Sequence, residues 1–241
     1  MNTAESNIIA KLQKDILSLQ GFKTTTNLTD IDLGLGIINV AFPNESFPLA
    51  AVHEFICIDH EHASATSGFV SCIVSSLMHD RGDAVWIGRG QKIFPPALKS
   101  FNILPEQIIF IDGKNQKEIL WCLEEALKCE GLAAVICEIK ELSFTESRRL
   151  QLAVEKSRVT GFIIRHQPRN IGVNACVSRW KISSIQSETI DLPGIGFPRW
   201  NVELLKIRNG KPGSWQVEWS HGKFYFMTEE IIVTEEKRKA S

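Results

Sequence analysis

From residue 52 onward, short runs of apolar and largely β-branched residues alternate with amphipathic segments, and this alternation restricts the chain to few folds. The runs at 52–58, 84–88, 107–111, 132–138 and 160–165 are nearly continuous in apolar side chains. Strands covered on both faces, as in a parallel sheet, have this pattern. Between them the spacing predicts helical segments near 67–79, 96–101, 115–129 and 144–157. The third places Ile119, Leu123 and Leu127 on one face, with Glu124, Glu125 and Lys128 elsewhere on its surface. Strands that alternate with helices join by βαβ crossovers, so the expected core is a doubly wound α/β sheet. After residue 175 the pattern changes. Strands at 176–186, 200–208, 214–219 and 223–227 follow one another without helices, separated by the turn signals Pro193-Gly194, Asn209-Gly210, Pro212-Gly213 and His221-Gly222. These read as an antiparallel extension of the sheet.

Ahead of the core, Ile8, Ile9, Leu12, Ile16 and Leu19 fall at spacings of three and four and line one face of a helix within residues 1–20, stopped by Gly21. One helix cannot bury that stripe alone, so it is expected to dock on the main body or on a neighbouring subunit. Residues 21–45, with Thr24-Thr25-Thr26-Asn27, read as a linker, 46–227 as the core, and 228–241 as a tail whose charged tip, Glu235 to Lys239, is expected to be disordered.

With 241 residues, 44% hydrophobic and 23% charged, the chain can bury a full core. Its longest apolar runs, such as Leu132 to Cys137, fall far short of the roughly 18–20 residues that span a bilayer. The polar start resembles no secretory signal, so a cytoplasmic protein without membrane contact is expected. Six cysteines are scattered without close pairs, which suggests neither a disulfide framework nor a zinc knuckle. The net charge of −1 conceals a local asymmetry: Lys156 to Ser187 holds Lys156, Arg158, Arg165, Arg169, Arg179 and Lys181 and no acid.

The strand, connection and helix expected over 52–79 occupy the place where α/β nucleotide-binding proteins carry a phosphate loop. Such a loop needs GxxxxGK[ST]: glycines let backbone N–H groups curl around phosphate, lysine neutralises the outer phosphates, and the hydroxyl holds magnesium. The window here is Ala63-Ser64-Ala65-Thr66-Ser67-Gly68-Phe69-Val70, in which the second glycine alone survives. A charge-assisted hydrogen bond is worth roughly 1.5–3 kcal/mol, so Phe69 in place of lysine should weaken phosphate binding at least tenfold. Val70 removes the metal anchor. An ordinary strand-to-helix turn, with Phe69 and Val70 as core contacts, would give the same window.

The residues around it resemble the ATPase core of RecA. Trp86-Ile87-Gly88-Arg89-Gly90-Gln91-Lys92-Ile93-Phe94-Pro95-Pro96 is similar to RecA's second strand and the acid-bearing loop after it, and Ala133 to Ile139 falls at its metal-binding strand. The resemblance implies a RecA-like, mostly parallel sheet with the antiparallel C-terminal extension. It also implies that Gly90 stands where RecA has the glutamate that activates water, a group typically contributing about 10²–10⁴ in rate. Glu138 keeps the acid of the metal-binding strand, as a remnant or a structural hydrogen-bond acceptor. Downstream, Glu146 to Glu155 and the run Trp200-Asn201-Val202-Glu203-Leu204-Leu205-Lys206-Ile207-Arg208-Asn209-Gly210-Lys211-Pro212-Gly213-Ser214-Trp215-Gln216-Val217-Glu218-Trp219 look like the ImuA family. That family comprises RecA-like accessory factors of bacterial error-prone repair, encoded in damage-induced clusters with an inactive Y-family polymerase relative and a replicative-type polymerase. The resemblance covers roughly residues 45–225.

It implies a non-catalytic accessory protein of damage-induced translesion synthesis, working through contacts with those polymerase components and with RecA, with no ATP or magnesium expected. A nucleotide-dependent switch using Thr66, Ser67, Gly68 and Glu138, and an inhibitor of the SulA type that acts on cell division or filament assembly, stay open as alternatives. Arg165, Arg169, Arg179 and Lys181 fall near the place of a RecA DNA-binding loop, much shortened here. They fit weak phosphate-backbone contact, a surface for an acidic partner, or a solvated basic edge. Trp215 and Trp219, at even spacing, should pack on the sheet. Trp200, beside Arg199, is a candidate partner anchor, since Trp and Arg are enriched at binding hot spots. His60-Glu61-His62, with Asp59 and His53 nearby, specifies no third ligand and reads as polar loop, so no metal site is expected.

Overall fold

Continuously apolar strands need cover on both faces, and the chain provides it with helices on one side and a helix plus aromatic packing on the other. The computed structural model describes residues 31–90, 93–187 and 196–227. The N-terminal helix expected within 1–20, the first part of the 21–45 linker, the Pro193-Gly194 turn and the tail lie outside the described residues. Among the described residues nine strands form one sheet: β1 (Val52–Cys57), β2 (Ala84–Gly88), β3 (Ile108–Asp112), β4 (Ala134–Ile139), β5 (Thr160–His166), β6 (Ser178–Ile185), β7 (Arg199–Ile207), β8 (Gly213–Ser220) and β9 (Lys223–Phe226). Their order is β3-β2-β4-β5-β1-β6-β7-β8-β9. Strands β3 to β6 in that order are parallel, and β6 to β9 are antiparallel. This is the RecA-like α/β architecture. Strand β6, expected within the antiparallel part, is the hinge between the two: it runs parallel to β1 and antiparallel to β7.

Three α-helices connect the parallel strands: α1 (His60–Arg81), α2 (Gln116–Leu127) and α3 (Phe144–Ser157). Helix α3 opens with a reciprocal capping box, in which Ser143 accepts from the Glu146 N–H and Glu146 accepts from the Ser143 N–H. Asn115 caps α2 in the same one-sided way that Asp59 caps α1. The expected helix at 96–101 is a 3-10 helix, Pro95–Phe101.

Two cores lie on opposite faces of the sheet. On the face of α2 and α3 the layer is aliphatic, including Val85, Ile87, Ile119, Leu123, Leu127, Val135, Leu150, Val154 and Ile163. On the face of α1 it is larger and aromatic, with Phe42, Phe47, Phe55, Phe69, Phe162, Trp180, Trp200, Trp219 and Phe224. Leu33, Leu35, Ile38, Ala41 and Phe42 also belong to it. The second part of the expected linker is therefore packed chain, because its apolar residues recur too densely to stay in solvent.

Candidate functional site at the carboxyl ends of the parallel strands

Ligands of open α/β sheets bind outside the carboxyl ends of the strands. Here those ends carry Cys57, Gly88, Asp112, Glu138 with Ile139, and Arg165 with His166. The junction after β1 is the decisive one. It consists of two residues, Ile58 and Asp59, before α1 begins at His60. The expected loop at Ala63 to Val70 is thus not a loop: Ala63, Thr66, Ser67, Gly68, Phe69 and Val70 all lie inside α1. The polar His60-Glu61-His62 run has no apolar periodicity and reads as loop, yet Asp59 is an N-cap and Glu61 an acid in the first turn, a pairing that favours helix.

The cap also fixes the electrostatics of this end. Asp59 Oδ1 accepts from the His62 backbone N–H at 2.9 Å and faces His62 Nδ1 at 2.7 Å. The His62 backbone N–H, and next its side chain, hold the Asp59 carboxyl below its ordinary range. A carboxylate therefore caps the N-terminus of α1, where a phosphate loop would present an anion with bare N–H groups.

Further along α1, the window is core. Phe69 and Val70 are fully buried, and the Phe69 ring lies between Trp180, Trp200 and Phe224 at centroid distances of 6.2, 6.1 and 5.4 Å. Thr66 is buried and accepts from Cys57 Sγ at 3.4 Å. Gly68 is tightly packed: a Cβ there would stand 3.0 Å from Trp200 Cζ2 and 3.2 Å from Phe101 Cζ. Trp200, expected as a partner anchor, is 4% exposed and is the indole that fills this space. Its neighbour Arg199 is turned the other way and binds Glu218 Oε2 through Nε at 2.6 Å. The alternation of a strand sends adjacent residues to opposite faces, which is why the pair cannot act as one anchor. Trp215 packs on the same core half-buried, and Trp219 is buried with its Nε1 donating to the Ser100 carbonyl.

At β2, β3 and β4 the ends enclose a cavity of about 180 Å³ lined by Trp86, Gly88, Gly90, Phe110, Asp112 and Glu138. That is below the roughly 300 Å³ at which small-molecule pockets begin. Gly90 has φ +67°, in the left-handed region, and its N–H donates to Asp112 Oδ1 at 2.7 Å. Glu138 receives the Trp86 indole N–H on Oε1 at 2.9 Å and His166 Nε2 on Oε2 at 2.7 Å. Both oxygens are engaged by the protein, as a structural acceptor requires.

The basic residues are mostly turned inward. Arg165, 1% exposed, binds Glu54 at 2.7 Å, Glu141 at 3.1 Å and the carbonyls of Lys140 and Asn170 at 3.3 and 2.9 Å. Arg179 reaches the other Glu54 oxygen at 2.5 Å and the Gly172 carbonyl at 2.6 Å. Contrary to the expected basic surface, Arg165 is buried and Arg179 is mostly so, because each answers an acid from outside the acid-free stretch. Lys181 pairs with Glu203 at 3.0 Å on the open face, and Arg169 has an exposed side chain. Glu141 is held below its ordinary range by the Arg169 backbone N–H and then by Arg165. Glu54 was missed as the organising residue. A lone acid inside the apolar strand 52–57 signals a buried partner cation, since buried charges are paired. Among the described residues no three His, Cys, Asp or Glu side chains are grouped to hold a metal ion. His60 is exposed, and His53 is buried between the Ser178 hydroxyl and the Pro48 carbonyl.

No protein-family model matches the chain. Protein ImuA of Caulobacter vibrioides strain NA1000 / CB15N, and likewise that of strain ATCC 19089 / CIP 103742 / CB 15, is 32% identical over 219 residues, which is 84% of this chain and 90% of the relative. The chain belongs to the ImuA family. Among the described residues, no helix of this ImuA-family protein is long and apolar enough to cross a membrane.

Proposed function

We propose that this ImuA-family protein is a non-catalytic accessory factor of damage-induced error-prone DNA synthesis, acting in the cytoplasm through protein contacts. Its expected partners are the polymerase components of that system, namely an inactive Y-family polymerase relative and a replicative-type error-prone polymerase, together with RecA. Family membership supports the pathway. The two-residue β1–α1 junction carries the non-catalytic reading, because a chain that enters its helix at once, capped by Asp59, has no loop to wrap around phosphate. Gly90 and the engaged Glu138 support it independently.

Calorimetric titration of the full-length protein with ATP and magnesium should give no binding at millimolar nucleotide and no rise in melting temperature, as a ligand specific for the native state would raise it. Micromolar binding, or turnover above background, overturns the non-catalytic half. Deleting the gene should lower ultraviolet-induced mutation frequency, and an unchanged frequency overturns the pathway half.

A further inference from the structure

The segment joining β5 to β6 crosses the outer face of β1 without a helix, and four basic side chains strap its backbone down. Arg165 binds the Asn170 carbonyl at 2.9 Å, Arg179 that of Gly172 at 2.6 Å, Lys206 that of Asn174 at 3.2 Å, and Arg208 that of Ala175 at 3.0 Å. A loop held in this way displays its side chains rigidly, and it displays apolar ones: Ile171 is exposed and Val173 is 81% exposed. Beside it β7 carries an extra residue. Arg179 pairs with Lys206 and Trp180 with Leu204, which leaves Leu205 as a bulge with its side chain exposed. Bulges re-aim side chains, and contiguous exposed apolar groups on a rigid support mark interaction sites.

The charge around these residues is unbalanced. Glu54 and Glu141 are taken by Arg165 and Arg179, while Arg169, Lys206 and Arg208 have no carboxylate partner among the described residues. Burial lowers the Lys206 pKa first, and the nearby Arg179 and Arg208 lower it further, as expected where cations crowd. We propose that Ile171, Val173 and Leu205, framed by Arg169, Lys206 and Arg208, form a docking surface for an acidic segment of a partner protein that carries an apolar anchor among its carboxylates. Aliphatic display distinguishes this partner from single-stranded nucleic acid, whose bases stack on aromatic rings. The surface deepens the reading that the chain works through protein contacts and rests on it.

Selection of a displayed random-peptide library on the full-length protein tests the chemistry directly. Enriched peptides should place two or more acids around Leu, Ile or Phe. A synthetic copy of the leading peptide should bind at least tenfold more weakly to the Val173→Asp and Lys206→Glu variants, and more weakly to the parent as salt rises. Val173→Asp should melt with the parent, since the side chain touches little. No enrichment, enrichment without acids, undiminished binding to Val173→Asp, or displacement of the peptide by an equimolar oligo-dT would each overturn the surface. If Val173→Asp loses the peptide while ultraviolet mutagenesis is unaffected by deleting the gene, the surface stands and the pathway reading falls.

Discussion

The two faces of the sheet are packed with different materials. On the α2/α3 face, aliphatic residues interdigitate as in any parallel sheet. On the α1 face, rings meet rings: Phe69 sits against Trp180, Trp200 and Phe224, Phe55 stacks on Trp180 at 6.0 Å, and Phe47 lies 4.3 Å from the His53 ring. Helix α1 holds the window at which a phosphate loop is expected, and Phe69 and Val70 of that window are part of this aromatic layer. The aliphatic face kept an ordinary core, whereas the α1 face uses the same helix, glycine and strand ends for packing. The positions that a phosphate site would need here serve as packing material.

Restoring the motif is the hardest blow to that view. Phe69→Lys, alone or with Val70→Thr, should not recover ATP binding. It should abolish folding, since deleting a buried phenylalanine costs about 3–5 kcal/mol and burying an unpaired ammonium adds to it, against a total stability of about 5–15 kcal/mol. Leu123→Ala on the aliphatic face should cost about 2–5 kcal/mol and leave a folded protein. Circular dichroism and urea titration check both. A folded Phe69→Lys variant that binds ATP would mean that the window is a phosphate loop after all.

Most of the fold was legible because parallel strands announce themselves by continuous apolar runs, and β2, β5 and α3 fall at the expected positions. The start of α1 was not. His60 to Thr66 lacks a helical apolar stripe, so apolar periodicity does not reveal that the helix starts directly after Asp59. The fate of Arg165, Arg179 and Trp200 was invisible for a different reason. Their partners Glu54, Glu141 and Gly68 are 24 to 132 positions away in sequence, and only the closed sheet brings them together. Arg169, at the exposed tip of the β5–β6 segment, remained where local sequence put it.

The aromatic face should also make the protein sensitive to acid. Pro48 can only accept, so His53 Nε2 carries the proton, and Nδ1 accepts from Ser178, whose oxygen in turn accepts from Trp180 Nε1 at 2.6 Å. Burial pushes the His53 pKa down to about 3, with the Pro48 hydrogen bond opposing it. The unfolded chain takes up this proton near pH 6.5 and the folded one does not, so the unfolded state binds more protons between those values. Stability is therefore unaffected by this group above about pH 6.5 and falls as pH drops toward 3. The loss should be on the order of 2–3 kcal/mol between pH 7 and pH 4.5, before most carboxylates titrate. Urea midpoints at pH 7, 6, 5 and 4.5 measure it. A flat series would show that the His53 ring is protonated in place and that the aromatic layer is more open than its packing implies.

The smallest effect separates two kinds of ion pair on the outer side of the sheet. Glu54 is fully buried beneath the β5–β6 segment and holds two arginines, so removing its charge leaves cations stranded. One strand further out, Lys181 and Glu203 meet at 3.0 Å with 30% and 29% of their side chains exposed. Solvent screens such a pair and its side chains give up rotamer freedom to meet, so it contributes about 0–1 kcal/mol. Lys181→Ala should accordingly shift the urea midpoint by no more than that, and half-molar salt should erase the difference. A larger loss, insensitive to salt, would place Lys181 in a covered interface, and the open face of β6 and β7 would then have to be counted as buried in the functional assembly.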